Sequence, residues 1–205
     1  MEDHMGHVQA FNIPQLIADF NLDIYIETGT GIGDSLSHAL KHPFKHFYSI
    51  EMDKGLYDQA IKLFQHPNLK IINGLSSNIL PEILPKIASD TRVLFFLDAH
   101  FPEADFGNAP DRYRKSVSKY GKDALPLEEE LRIIKNIRIE NKDVIIIDDV
   151  WVYEDGPFEG GNWSERPFVN SGDMSFVGKI FDDTHFIKKF YRQQGYLFLT
   201  PKDNS

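Results

Sequence analysis

The chain has 205 residues, 41% of them hydrophobic and 26% charged, with a formal net charge of −9 and no cysteine. The length suits one α/β domain; the acidic balance argues against broad nucleic-acid binding, which needs clustered Lys and Arg, and the lack of thiols excludes disulfides and thiolate metal sites. No apolar run approaches the ~20 residues needed to span a bilayer, so small molecules are the expected partners.

The opening MEDHMGHVQA lacks the basic flank and apolar core of a signal peptide, and the expected location is cytoplasmic. Val8 to Asn21 has apolar residues at helical spacing, with Pro14 near its start. Asp23 to Glu27 alternates like a buried parallel strand and runs into a glycine turn, after which Ile32 to His42 reads as a helix ending at Pro43. His46 to Ile50 predicts a second strand closed by Glu51, Lys54 to Phe64 an amphipathic helix, and Leu69 to Ile72 a third strand. A polar turn from Asn73 to Ser77 leads into a helix through Ile87; Arg92 to Leu97 is a fourth strand ending at Asp98-Ala99-His100. Phe101 to Leu125 shows no sustained period and reads as a lid loop, bounded at 101–126. Leu127 to Ile137 predicts a helix whose Glu128, Glu129 and Glu130 favour the positive end of its dipole. Val144 to Ile147 is a fifth strand ending at Asp148-Asp149, 150–174 a second lid loop, and Ser175 to Phe181 a short helix. Phe186 to Tyr191 and Tyr196 to Thr200, joined around Gly195, predict a terminal hairpin. Alternating strands and helices from Asp23 to Val150 imply a mostly parallel sheet wrapped on both faces by right-handed crossovers.

In such a sheet ligands sit beyond the carboxyl ends of the strands. The residues that follow each strand are Glu27 with Gly29, Gly31 and Gly33; Glu51, Met52 and Asp53; Asn73 to Ser77; Asp98 with His100; and Asp148 with Asp149. The glycines permit positive φ and leave the backbone, Thr30 included, bare to a ligand. An acid two residues before the first glycine disfavours a phosphate and favours a cationic group. Glu51, about twenty residues on, stands where a carboxylate grips ribose hydroxyls; the alternative is a surface acid that starts a helix. Asp98, Asp148 and Asp149 brought together would repel one another unless a cation joins them, and oxygen ligands suit Mg²⁺ or Ca²⁺. Capping of turns is the alternative for the aspartates. His100 is placed to accept a proton; its alternative is a loop histidine bonded to a backbone carbonyl.

Glu27, Gly29, Gly31 and Gly33 with Glu51 resemble the first two motifs of class I S-adenosylmethionine-dependent methyltransferases. The resemblance implies a three-layer, Rossmann-like methyltransferase fold, a seven-stranded sheet with a C-terminal antiparallel hairpin, over a single domain spanning 1–205. It implies S-adenosylmethionine as cofactor, held by Glu27, Gly29, Thr30, Gly31, Gly33, Glu51, Met52, Asn73, Ser76 and Asp98, with the ammonium near Glu27, the ribose near Glu51 and adenine near Asn73 and Ser76. Nicotinamide-binding proteins space their glycines differently. Asp98, His100, Asp148, Asp149 and Trp151 are similar to residues of macrocin-type O-methyltransferases, whose carboxylates hold Mg²⁺ and whose histidine is the base for a sugar hydroxyl. One residue separates Asp98 from His100 where that family has two. The resemblance implies a metal at Asp98, Asp148 and Asp149, catalysis by His100 and Asp98, and a small hydroxylated methyl acceptor, a sugar or natural product.

Competing readings are a binding protein that keeps the cofactor pocket without catalysis and a nicotinamide-dependent oxidoreductase. His4, His7, His42, His46, His66 and His185 show no ligand spacing and read as surface or partly buried side chains. Arg112, Arg114, Lys115, Lys119 and Lys122 form a solvated face or meet an acidic substrate, and Tyr153, Phe158 and Trp163 roof a pocket or pack beneath a loop. The sequence is compatible with a homo-oligomer.

Overall fold

A computed structural model describes residues 7–101, 110–140, 142–163 and 173–202. Its strands are β1 (Leu22–Thr28), β2 (His46–Glu51), β3 (Leu69–Asn73), β4 (Arg92–Leu97), β5 (Val144–Ile147), β6 (His185–Phe190) and β7 (Tyr196–Pro201). They form one seven-stranded sheet in the order β3-β2-β1-β4-β5-β7-β6. The first five are parallel and β7 enters antiparallel, with Ile146 opposite Phe198. This is the expected three-layer Rossmann-like architecture, ending in the expected hairpin. The order reverses beside β1, so a crevice opens at the carboxyl ends of β1 and β4.

Helices follow the strands as α2 (Asp34–Ala39), α3 (Lys54–Leu63), α4 (Ser76–Ile83), α6 (Leu127–Ile137) and α7 (Ser175–Phe181), with α1 (Ile13–Phe20) ahead of β1 and α5 (Pro110–Tyr120) between β4 and α6. Side chains alternate across β1, so Ile24 and Ile26 join a core with Leu80 of α4, Leu131 of α6 and Val177 of α7. Tyr25 packs on the opposite face with Phe47, Leu94, Ile146, Ile13 of α1 and Ala39 of α2. Burying both faces explains why β5 is a continuous apolar run. Among the described residues no helix is long and apolar enough to cross a membrane.

Several expectations shift. The first helix is split: a 3-10 turn at Val8–Ala10 precedes α1, whose Asn12 cap accepts from the Gln15 amide. The stretch 101–126, read as structureless, contains α5 and a 3-10 turn at Gly121–Ala124. Its apolar positions, Tyr113, Val117 and Tyr120, hold helical spacing amid charged residues and pack against the main core. The remainder of the two lid stretches, 102–109 and 164–172, lies outside the described residues.

Candidate functional site

The glycine turn links β1 to α2. Gly29, Gly31 and Gly33 all have positive φ, at 81°, 54° and 88°. A Cβ on Gly29 would lie 2.7 Å from the Asp98 carbonyl oxygen, so the turn rests directly on the exit of β4. The Gly29 and Thr30 amides donate to the Ile50 carbonyl at 2.9 and 3.3 Å, folding the turn back on β2.

Two acids brace this turn from below and beside. Glu27 is fully buried: one oxygen accepts from Ser49 Oγ at 2.6 Å, the other from Tyr25 Oη at 2.8 Å, and the Ser49 and Thr30 hydroxyls are 2.5 Å apart. Burial pushes its carboxyl up to about 7, against the two hydroxyls that hold it down. Glu51 accepts from the Gly31 amide at 2.8 Å and from the Asp53 amide at 2.7 Å, placing it at the mouth of the turn. Asn73 Nδ2 donates to the Glu51 and Met52 carbonyls at 2.8 and 3.1 Å, so Asn73 shapes the loop that carries Met52. Ser76 is buried at the first position of α4.

Beyond β4 and β5 the chain gathers Asp98, His100 and Asp149, each offering a ligand atom within 4.8 Å of the others. His100 Nε2 lies 3.0 Å from Asp149 Oδ2; its Nδ1 lies 2.9 Å from the Asp98 carbonyl and 3.6 Å from Asp98 Oδ1. The backbone carbonyl contact weighed for His100 is therefore present together with the carboxylates. Phe101 and Asp149, flanking the cluster, sit at φ 37° and 52°. Left-handed geometry in such residues costs roughly 1–3 kcal/mol and persists where the surroundings over-determine it.

Asp148 stands apart from this trio. Its Oδ1 accepts from the Asp149 amide at 2.7 Å, while Oδ2 is buried and, among the described residues, has no donor, as is the case for Asp149 Oδ1. Burial first, then the adjacent Asp149 charge, hold the Asp148 carboxyl well above the carboxylate range. Two buried acceptor oxygens without donors, beside a carboxylate–imidazole–carboxylate cluster, are the environment that a hard divalent cation relieves.

Glu130 is a further buried acid at this end of the sheet, which the sequence analysis assigned only to the helix dipole. It lies in the first turn of α6, fully buried, with no well-aligned donor to either oxygen. Burial raises its carboxyl to about 7, held back by the neighbouring Ser76 and Thr28 hydroxyls. Its place on the stripe Leu127, Glu130, Leu131, Ile134 was the available signal. Tyr153 packs in the core, where burial, then Glu130, Asp149 and Asp98, raise its phenol well above the usual value. Phe101, Tyr113 and Trp163 stack mutually at 5.1–5.3 Å beside His100, while Phe158 instead meets Tyr191. Tyr153 meets Phe176, so the three aromatics expected to act together each pair with different rings.

No protein-family profile matches the chain, nor does any curated protein. Solved structures do. A Staphylococcus aureus protein provisionally named a caffeoyl-CoA O-methyltransferase superposes with a TM-score of 0.54 at 17% identity, covering 92% of this chain and 80% of that one. An O-methyltransferase, also provisionally named, from Klebsiella pneumoniae gives 0.55 at 15% identity, over 93% and 78% of the two chains. Spermidine synthase from Thermotoga maritima gives 0.52 at 13% identity, over 95% of this chain and 58% of its own. At such identities the likeness is one of fold.

Proposed function

We propose that the chain is an S-adenosylmethionine-dependent methyltransferase acting on a hydroxyl oxygen of a small molecule, a sugar or natural product, assisted by a divalent cation. One observation carries the reading: a glycine turn closed on Glu51 and the Asp98–His100–Asp149 cluster occupy the same sheet edge, joined where Gly29 rests on Asp98. The names of two structural neighbours, both O-methyltransferases, support oxygen as the acceptor.

S-adenosylmethionine would supply an electrophilic methyl group. Gly29 packs on the exit of β4 and Gly33 on the Phe64 ring, which leaves the half-buried Gly31 as the backbone that would face it; Glu51 offers acceptors to two ribose hydroxyls, and Met52, Asn73 and Ser76 border the adenine side. Glu27 acts through Ser49 and Thr30, setting the turn and placing negative charge beneath a cofactor ammonium.

Asp98 and Asp149, with Asp148 beside Asp149 in the chain, form an oxygen-rich donor set that fits Mg²⁺. Such an ion would acidify an acceptor hydroxyl bound to it. Both His100 ring nitrogens face acceptors, a contact pattern suited to the doubly protonated ring. The Asp98 carbonyl fixes Nδ1 as a donor, which leaves Nε2 as the atom that exchanges a proton with substrate. A cation held by Asp98 and Asp149 would disfavour the Nε2 proton and so favour the basic form.

The test is transfer of labelled methyl from S-adenosylmethionine to a panel of hydroxylated acceptors, with Mg²⁺ or with chelator. Chelation and Asp98→Ala should each abolish transfer, and His100→Ala should reduce turnover by about 10²–10⁴-fold while leaving S-adenosylhomocysteine affinity intact. Transfer indifferent to chelator would remove the cation from the mechanism and leave His100 as sole base.

A further inference from the structure

The end of α2 remote from the glycine turn carries a second group of metal-ligand side chains. The helix runs from Asp34 to Ala39, and backbone bonds from Leu40 to Leu36, Lys41 to His38 and His42 to Ala39 continue its winding for a further turn. His42 therefore stacks one turn above His38, the separation at which side chains on one helix face meet. Their Nε2 atoms face each other at 3.2 Å, with ring centroids 4.9 Å apart. Both rings are partly exposed. Asp34 lies one further turn back on the same face, adding negative charge, while Lys41 works against it.

We propose that His38 and His42 form a bidentate site for a borderline divalent transition metal such as Zn²⁺ or Ni²⁺, separate from the oxygen-rich cluster at the sheet edge and independent of the methyltransferase reading. Zn–N bonds of about 2.0–2.1 Å in tetrahedral geometry separate two ligand nitrogens by about 3.3 Å, close to the observed spacing. Imidazole donors suit Zn²⁺, Ni²⁺ and Cu²⁺, whereas Mg²⁺ and Ca²⁺ seek oxygen. Burial, then the facing imidazole and Lys41, lower His38, and burial with Lys41 lowers His42, so both rings are neutral at neutral pH. Without metal, one Nε2–H donates to the lone pair of the other ring. On binding, that ring passes its Nε2 proton to water and gains one at Nδ1, so both lone pairs reach the ion and no net proton is released. Asp34 faces His7 Nε2 at 3.9 Å, so water would complete the shell. Occupancy would pin the turn from Leu40 to Phe44, which leads into β2 and buries Phe44 against Tyr25 and Phe47.

The experiment is calorimetric titration of the full chain with ZnCl₂, paired with thermal melts, for the parent, His38→Gln, His42→Gln and Asp98→Asn. The parent and Asp98→Asn should share a Zn²⁺ site that raises Tm. Each histidine variant, folded by circular dichroism, should bind at that site more than about tenfold more weakly and lose the Tm rise. Zn²⁺ binding and Tm response unchanged in both histidine variants would overturn the proposal. Loss of the site in Asp98→Asn alone would also overturn it, by assigning the metal to the sheet edge. Failure of the methyltransferase reading would leave these outcomes unaltered.

Discussion

The two ends of the sheet treat buried charge in opposite ways. At the amino edge, Arg138 donates to Asp143 from Nε at 2.9 Å and Nη2 at 3.1 Å, and to the Ala88 and Thr91 carbonyls. Asp143 also accepts from the Val93 amide at 2.9 Å, and its carbonyl faces His185 Nε2 at 3.1 Å. Burial lowers His185 to about 4, so it serves there as a neutral ring. At the carboxyl edge, among the described residues, Asp148 and Asp149 each keep a buried oxygen without a donor, and Glu130 has only the poorly aligned Ser76 and Thr28 hydroxyls near it. Buried polar groups cost roughly 1–3 kcal/mol each when unpaired. One edge is satisfied from within, and the other keeps acceptors that a ligand bound there would satisfy.

The largest effect should come from breaking the satisfied edge. Arg138→Ala leaves Asp143 buried without its cation, and the expected loss is about 3–5 kcal/mol in urea unfolding. A loss below 1 kcal/mol would mean that this edge is not held by the pair.

The next effect comes from the open edge and has the opposite character. Glu130 has an ordinary carboxyl value of 4.5, raised in the fold to about 7. Below the ordinary value it is protonated in folded and unfolded chains alike. Above it the unfolded chain releases the proton first, so stability is lost as pH rises toward the folded value. The same direction holds for Glu27. Each group contributes on the order of 3 kcal/mol over that window. In ligand-free protein, Glu130→Gln should flatten the fall in stability between pH 5 and pH 7, whereas unchanged pH dependence would show that Glu130 is not a buried titrating acid.

Gly29→Ala should cost less, about 1–3 kcal/mol, because the residue would hold positive φ with its Cβ against the Asp98 carbonyl. S-adenosylhomocysteine affinity should fall with it, and a variant as stable as the parent would separate the turn from β4. Removing the exposed Arg132–Glu128 pair by Arg132→Ala should change stability by only about 0.3–0.5 kcal/mol. A larger change would show that surface pairs outweigh the contrast between the edges.

Much of this arrangement was legible in the chain itself. The parallel strands announced themselves as apolar runs, and the glycine turn, Glu51, Asp98 and Asp149 followed them at fixed offsets. These are local signals, as each is read within one strand and its exit. What escaped depends on contacts between elements. Glu130 looks like any first-turn acid until α4 and α6 close over it, and α5 shows only Tyr113, Val117 and Tyr120 amid charge. Glu27 was expected to meet a ligand directly, and its enclosure by Tyr25 and Ser49 depends on the pairing of β1 with β2, which places Glu27 beside Ser49. His42 read as isolated only because His38 was not weighed with it, although the helix expected from Ile32 to His42 sets the two one turn apart.

The account rests on the carboxyl edge holding S-adenosylmethionine across the glycine turn, and calorimetric titration with S-adenosylhomocysteine tests this most directly. The parent should bind one equivalent, and Gly31→Val, whose side chain would fill the space over a backbone at φ 54°, should lose measurable binding while remaining folded. No binding to the parent, or undiminished affinity in Gly31→Val, would contradict it.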